Sequence, residues 1–576
     1  MTNSEYLRHV KLFLPFLAVL YDEVDVFFDS NTKELTFIAK EQNRESFKYE
    51  MNFTDDTIIR ITPEALNYMQ QDDSDGKREL LGLLVSSYKI TGIKISSGDK
   101  YYTECVSTDF ACKFILNNPV IYKMQTSFCS VFGDIESLKI NTLKSIEIER
   151  LDLLREDVDF FSKFIKLESL SIVKCDFLNY GDFLRKLALM FPKLKILRIV
   201  GSFLRSGFLN NLFFTYIEIL DLSCCKSIGK ISNFPNMQMK ALKSLRIDYS
   251  SLNYKVIRVM IPSHSLKILS MRGTKCRIFH IFEHYRNLKK SFYYLDFSRI
   301  RFNKKLVSFF SVNIEAEILF LENLEHLGDL IRVLRLESLY SSTRTISLSN
   351  NSSFNDIFLL SKNFKKLECL KLSGTKIMRL HQFVFDFQFK SHLKDLDLSN
   401  NKFSKNYICC LNQFDFLERI NLSNCNLESG LMEYLSVMHP AVSLRKINLA
   451  RNILSKSDIF ALEQFINLDH LTVCFQSEIF SYFLKEYGSL RLKNLETLIL
   501  VASFFTSEIY HCIMRMSSLK NLELQGCHLE KNVFTNYRIS YPSFLQKITL
   551  IDSKYYPEDI DTFNDLKFRG IEVLIF

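Results

Sequence analysis

The chain has 576 residues and a globular composition, 47% hydrophobic and 24% charged, which excludes a disordered or fibrous protein. Its net charge of +9 is spread without a dense basic run, so a solvated surface is expected and nucleic-acid binding is not. Fourteen cysteines without a CxxC pair exclude a disulfide-stapled scaffold, and no stretch is long and apolar enough to span a bilayer.

Taken in order, Arg8 and Lys11 precede an apolar run from Leu12 to Tyr21 of signal-peptide length. Pro15 interrupts it and no small-x-small cleavage site follows, so it reads as the first helix of a cap. Val24–Phe28 and Leu35–Ala39 alternate around a polar turn at Asp29–Lys33 and predict a hairpin. Phe47, Tyr49, Met51 and Phe53 extend the alternation to a third strand. Pro63 opens a helix to Met69, and the acidic Asp72–Asp75 run marks a loop. Helices are also predicted at Leu80–Leu84 and Ala111–Leu116, and Ile90, Ile93 and Ile95 read as a degenerate repeat. Residues 1–134 are thus expected to be a capping region of helices plus a hairpin or small sheet.

From residue 135 to 576 one spacing recurs. Leu393, Leu396, Leu398 and Asn401 return 24 residues later as Leu417, Ile420, Leu422 and Cys425. Apolar residues at positions 1, 4 and 6 suit a short strand with alternate side chains inward. The small polar residue or cysteine at 9 suits a bend whose unpaired backbone it bonds. The fourth positions run Ile146, Leu170, Leu197, Leu220, Leu245, Leu269, Leu295, Leu319 and Ile346. They continue through Leu370, Leu396, Ile420, Ile447, Leu471, Leu498, Leu522, Ile548 and Leu574. These eighteen units alternate in length, about 24 and about 26 residues.

This pattern resembles the leucine-rich repeat family, LxxLxLxxN, and its paired lengths are similar to the ribonuclease-inhibitor-like class. The resemblance implies an α/β solenoid with a parallel concave sheet and a helical convex side. Asp157–Phe164, Asp182–Met190, Ile278–Leu288, Gly430–Met438 and Ser457–Gln464 are the predicted convex helices.

The second residue of each unit alternates in sign, from Lys144, Glu168, Lys195, Glu218 and Lys243 to Glu317, Arg344, Glu368, Lys394, Glu418, Arg445 and Asp469. On adjacent strands such alternation replaces like-charge repulsion with attraction and sets register. Cys175, Cys225, Cys425 and Cys527 occupy ninth positions, where buried thiols favour a reducing, cytoplasmic or nuclear compartment over secretion.

Little enzymatic chemistry is legible. His280-Ile281-Phe282-Glu283-His284 matches an HxxEH zinc string, but it falls on a convex helix without a further ligand and reads as surface. No catalytic, metal or cofactor residues are assigned, and a protein partner is expected instead. Residues flanking the inward pair should face the concave surface. They give one patch of Asp221, Arg246, Asp248, Tyr249, Arg272, Tyr294, Asp296 and Arg299, and a second of Asp395, Asp397, Arg419, Lys446, Arg451 and His470. The last strand, 571–576, is expected to expose apolar Val573 and Ile575 and to invite edge-to-edge association. The expected function is a non-enzymatic protein-recognition scaffold. The alternatives are a ubiquitin-ligase substrate subunit, a GTPase activator, and a secreted receptor or effector with sequons at Asn52, Asn350, Asn351 and Asn421.

Overall fold

The repeat dictates short parallel strands, and the computed structural model shows them. It describes residues 23–29, 34–40, 57–61 and 90–95 and, from 144, the strands and turns of each repeat with parts of the segments joining them. The chain divides into two compact units, residues 1–286 and 287–576.

In the first unit Glu23–Asp29 and Glu34–Lys40 pair antiparallel, with Val24 opposite Ala39. Thr57–Ile61 lies parallel to Glu23–Asp29, and Ile90–Ile95 follows it. Ile93 then faces Ile146, which begins an unbroken row of fourth positions: Ile146, Leu170, Leu197, Leu220, Leu245, Leu269. The strand predicted at 47–53 and the helices predicted at 12–21, 63–69, 80–84, 111–116, 157–164, 182–190 and 278–288 lie outside the described residues.

The second unit carries the equivalent row from Leu295 through Leu319, Ile346, Leu370, Leu396, Ile420, Ile447, Leu471, Leu498 and Leu522 to Ile548. The final strand, Glu572–Ile575, departs from the expected alignment. Val573, not Leu574, faces Ile548. The helix Asp559–Phe568 ends on left-handed Gly570 (φ 88°), and Ile571 N–H reaches back to the Leu566 carbonyl at 3.0 Å. That cap brings a core residue one position closer to the strand than in other repeats. A one-residue slip exchanges faces. Val573 is therefore buried, and only Ile575 of the expected exposed pair is exposed.

Burial follows the spacing. Leu393, Leu396 and Leu398 are at most 1% exposed, as are Leu242, Leu245 and Ile247. A further apolar position lies three residues before the first leucine: Phe191, Met239, Phe364, Phe414, Phe465, Leu492 and Met516, all buried. Its carbonyl accepts the N–H of that leucine in several repeats, as Phe465 does from Leu468 at 3.0 Å. This stack uses part of the abundant phenylalanine.

The described return segments are short helices, including Glu337–Ser342, Leu431–Ser436, Lys456–Ala461 and Ser507–Ile513. Among the described residues helices are few and short, and two of the expected ones are present: Gly430–Met438 as Leu431–Ser436, and Ser457–Gln464 as Lys456–Ala461 with a 3-10 turn at Leu462–Gln464. Where helices form, adjacent repeats cap one another. Buried Asp458 accepts the N–H groups of Gly430 and Met432, at 3.1 and 2.8 Å, from the preceding repeat. Glu530 does the same for Ser507 at 2.7 Å.

In the described bends the eighth residue turns left-handed. Where the ninth is polar or cysteine it bonds the bend, whereas Ile300 and Leu324 fill that place with buried apolar side chains. Asn401 Nδ2 donates to the carbonyls of Leu372 and Leu398, both at 2.8 Å. Asn452 does so to Leu422 and Leu449 while its Oδ1 accepts Cys425 N–H at 2.9 Å. Cysteine serves the same place: Cys225, Cys425 and Cys527 Sγ donate to Ile199, Leu398 and Leu500 carbonyls. Replacing Asn452 with Ala strands these buried groups. Urea unfolding should show a loss of about 2–4 kcal/mol, whereas Asn424→Gly, at an exposed eighth position whose left-handed backbone glycine also adopts, should change it by under about 1 kcal/mol.

Candidate functional site

Side chains two apart on a strand share a face, so a carboxylate at position 5 can reach the N–H of position 7. Asp221 accepts Ser223 N–H at 3.0 Å and its hydroxyl at 2.6 Å. Asp296 and Asp397 accept the N–H of Ser298 and Ser399 at 2.8 and 2.9 Å, and Asn421 and Asn448 act alike. Asp248 reaches across to the next repeat, accepting Ser270 Oγ at 2.6 Å and Arg272 N–H at 2.9 Å. These acids, expected to meet a partner, also hold the sheet's own polar groups, and Asp296 is only 2% exposed.

A second correction concerns the turn. Tyr249, Arg299 and Arg451 occupy eighth positions with φ of 53°, 59° and 58°, so they belong to the bend rather than to the strand face. Tyr249 is buried over Cys224 and Gly273, where an added Cβ would meet its ring at 2.6 Å. Its hydroxyl accepts from Arg272 Nε at 3.3 Å.

The first expected patch also falls in two units, Asp221 to Arg272 in the first and Tyr294 to Arg299 in the second. In the first, Arg246 is exposed. Arg198, which the sequence reading passed over, is exposed on the other side of Asp221. Neither guanidinium makes an ion pair or side-chain hydrogen bond among the described residues. In the second, Tyr294 packs on Phe320 at 5.4 Å and Lys371 Nζ lies 5.9 Å from the Phe320 ring centre.

The second patch is largely self-paired. Arg419 bonds Asp395 at 3.0 Å. His470 Nδ1 meets Asp469 at 2.5 Å while its Nε2 lies 3.5 Å from Lys446 Nζ. Between the patches, Ser347 and Ser399 are buried and bonded to Glu322 and Ser373.

The alternating second positions do form pairs: Lys195–Glu168 at 3.0 Å, Lys243–Glu218 at 2.7 Å, Arg344–Glu368 at 2.7 Å and Arg445–Asp469 at 2.7 Å. The Glu168 bond raises Lys195 above its usual range, and the Lys243 bond lowers Glu218 below its own. In the second unit this ladder forms one wall of a groove of ≈ 820 Å³ that reaches from Glu368 to Ser518.

Burial pushes the Cys225 thiol up to about 12 and the Cys425 thiol to about 11, consistent with S–H groups that donate. The His280–His284 string lies outside the described residues, among which no three His, Cys, Asp or Glu side chains are placed to hold a metal ion. No helix among them is long and apolar enough to cross a membrane. The sequon at Asn351 is 1% exposed and bonded into the bend, so glycosylation there is incompatible with this fold.

No family model and no curated protein matches the chain. Solved structures do. The TLR13 chain of a TLR13–ssRNA13 complex is 16% identical, with a TM-score of 0.46 over 76% of this chain and 60% of that one. Mouse RP105, from its complex with MD-1, gives 16% and 0.41 over 76% and 92%. A leucine-rich-repeat protein of Leptospira interrogans gives 16% and 0.31 over 81% and 98%. This chain thus spans less than two thirds of the first of these, and the likeness is one of backbone path.

Two outcomes follow from the geometry. Asp397→Ala should lower folding stability by about 1–2 kcal/mol in urea, because it strips an N–H acceptor from the strand. The ninth-position thiols hold their protons more tightly folded than unfolded, so stability is full below the ordinary value of 9.0 and falls as pH rises toward about 12. Urea midpoints measured from pH 8 to 11 should decline, and Cys225→Ser should flatten the decline.

Proposed function

We propose that this chain is a non-enzymatic recognition scaffold that binds an acidic segment of a protein partner on the sheet face of its first unit. The observation that carries this is the pair Arg198 and Arg246, exposed and without an ion pair or side-chain hydrogen bond among the described residues, on either side of Asp221, which accepts from Ser223. Adjacent strands lie about 4.8 Å apart, so the backbones that carry the two arginines are about 10 Å from each other, within reach of one acidic segment. Arginine suits bidentate capture of carboxylates. The ribonuclease-inhibitor-like class is part of the same reading. It is supported by the alternating repeat lengths and by helices in successive return segments, Leu431–Ser436 and Lys456–Ala461. Residues 1–134 are read as its cap.

A cytoplasmic setting is supported by Cys225, Cys425 and Cys527, which are free, buried thiols. One observation favours the extracellular alternative: Cys224 is disulfide-bonded, and such bonds persist in oxidising compartments. The intact mass after alkylation without reduction distinguishes them, since a bridge protects two thiols from the reagent even in denaturant.

The binding reading is tested by affinity capture with the intact chain and with an Arg198→Glu, Arg246→Glu double variant. Capture of a specific partner should fall more than tenfold in the variant, with an unchanged circular dichroism spectrum, and soluble polyglutamate should compete for the intact chain. Undiminished capture by the variant would overturn it.

A further inference from the structure

The groove of the second unit runs along the edge where the strands begin, and most of its charge is already neutralised. Glu368 is held by Arg344 at 2.7 Å and Lys394 at 3.5 Å, Asp469 by Arg445 at 2.7 Å, and Glu496 by Lys520 at 2.8 Å. Glu418 differs. It lines the groove, yet its carboxylate makes no ion pair or side-chain hydrogen bond among the described residues. Its ladder neighbours Lys394 and Arg445 are drawn to Glu368 and Asp469 instead. At the far end Lys493 is exposed and likewise unpaired among the described residues.

Between these two open charges the lip is apolar. Phe416 is 58% exposed and Val442 59%, both lining the groove, and Ile466, 59% exposed, continues the row on the next repeat. The lip is fixed in place, because Asn467 Nδ2 donates to the Val442 carbonyl and Asn494 Nδ2 to that of Ile466, each at 2.7 Å. A groove with one open carboxylate, a pinned apolar lip and one open ammonium is complementary to a chain segment with the opposite charges at its ends.

We propose that this groove seats an extended segment of a partner protein bearing a lysine or arginine against Glu418, apolar side chains against Phe416 and Val442, and an aspartate or glutamate against Lys493. The aliphatic stem of the basic residue lies on Phe416 while its cation meets the carboxylate. Glu418 and Lys493 belong to repeats three steps apart, about 14 Å at the spacing of neighbouring strands. An extended chain rising about 3.3 Å per residue covers that in four to five residues. The two charges of the occupant are therefore four or five positions apart, with the basic one on the Glu418 side. This surface is separate from the Arg198–Arg246 pair, and the inference does not depend on it.

The probe is a synthetic seven-residue peptide with arginine and glutamate four positions apart and valines between them, titrated into the intact chain and followed by fluorescence anisotropy. Binding should weaken at least tenfold with Glu418→Gln and several-fold with Lys493→Ala. It should change less than twofold with Glu496→Gln, whose carboxylate is already paired. Glu418→Lys should abolish binding of this peptide and restore it for one with glutamate in place of the arginine. Absence of measurable binding to the intact chain, or binding indifferent to Glu418→Gln, would overturn the proposal. So would equal affinity for a peptide carrying citrulline in place of arginine.

Discussion

The bend after each strand is the constraint on which the rest of the structure depends. Its eighth residue is left-handed in repeat after repeat, from Tyr249 and Arg299 to Asn350, Asn400, Asn424 and Arg451. For residues other than glycine that conformation is costly, and asparagine tolerates it best. The cost is offset by the ladder, because the N–H of the eighth residue donates to the seventh carbonyl of the following repeat. Tyr249 reaches Arg272, Asn400 reaches Ser423 and Asn424 reaches Ala450, at 2.6–2.8 Å. A polar or cysteine ninth residue then takes the carbonyls that the bend turns away from the sheet. A backbone held this way by its neighbour cannot be stable one repeat at a time.

The same demand for hydrogen bonds shapes the surface. A strand of three residues, such as Asp395–Asp397, ends before its polar groups are all paired, and the fifth-position Asp or Asn supplies the missing acceptor. This is why the Asp-x-Ser spacing recurs at Asp221, Asp296 and Asp397. It also commits one oxygen of each carboxylate to the sheet, although the charge itself remains. Arg198 and Arg246, on the strands either side of Asp221, have no such hydrogen bond or ion pair among the described residues.

The inward positions were legible because burial leaves a period in the sequence that backbone pairing must repeat. Leu220, Leu245 and Leu269 sit on adjacent strands as that period requires. The exception, Val573, comes from a helix cap at Gly570 that shortens the approach to the strand. A glycine just past an amphipathic segment was the available signal. The outward positions were less legible, because alternation assigns a face without saying whether a polar side chain is spent locally. Tyr249 was misplaced by carrying alternation past the sixth residue into the bend. The recurrence of serine two residues after aspartate could have marked Asp221 and Asp397 as internal acceptors. Nothing in the spacing distinguishes Arg198 from Arg246; both needed the neighbouring strand.

The charge ladder shows where sequence pattern stops and geometry begins to choose. Alternating signs predict that every second-position charge has a partner on each side, yet each side chain commits to particular neighbours. Arg344 spans both Glu317 and Glu368, at 3.6 and 2.7 Å, and Lys394 turns to Glu368 rather than Glu418. Burial works to raise the Glu368 carboxyl, and the two cations outweigh it, holding it below its ordinary range. Exposed pairs of this kind contribute little to stability individually, so their arrangement is free to vary along the solenoid without cost to the fold. The surface can therefore leave a single charge such as Glu418 open while the core spacing stays regular. Repeats that are nearly equivalent inside become distinguishable outside, which is what a uniform wall needs if it is to recognise one segment at one place.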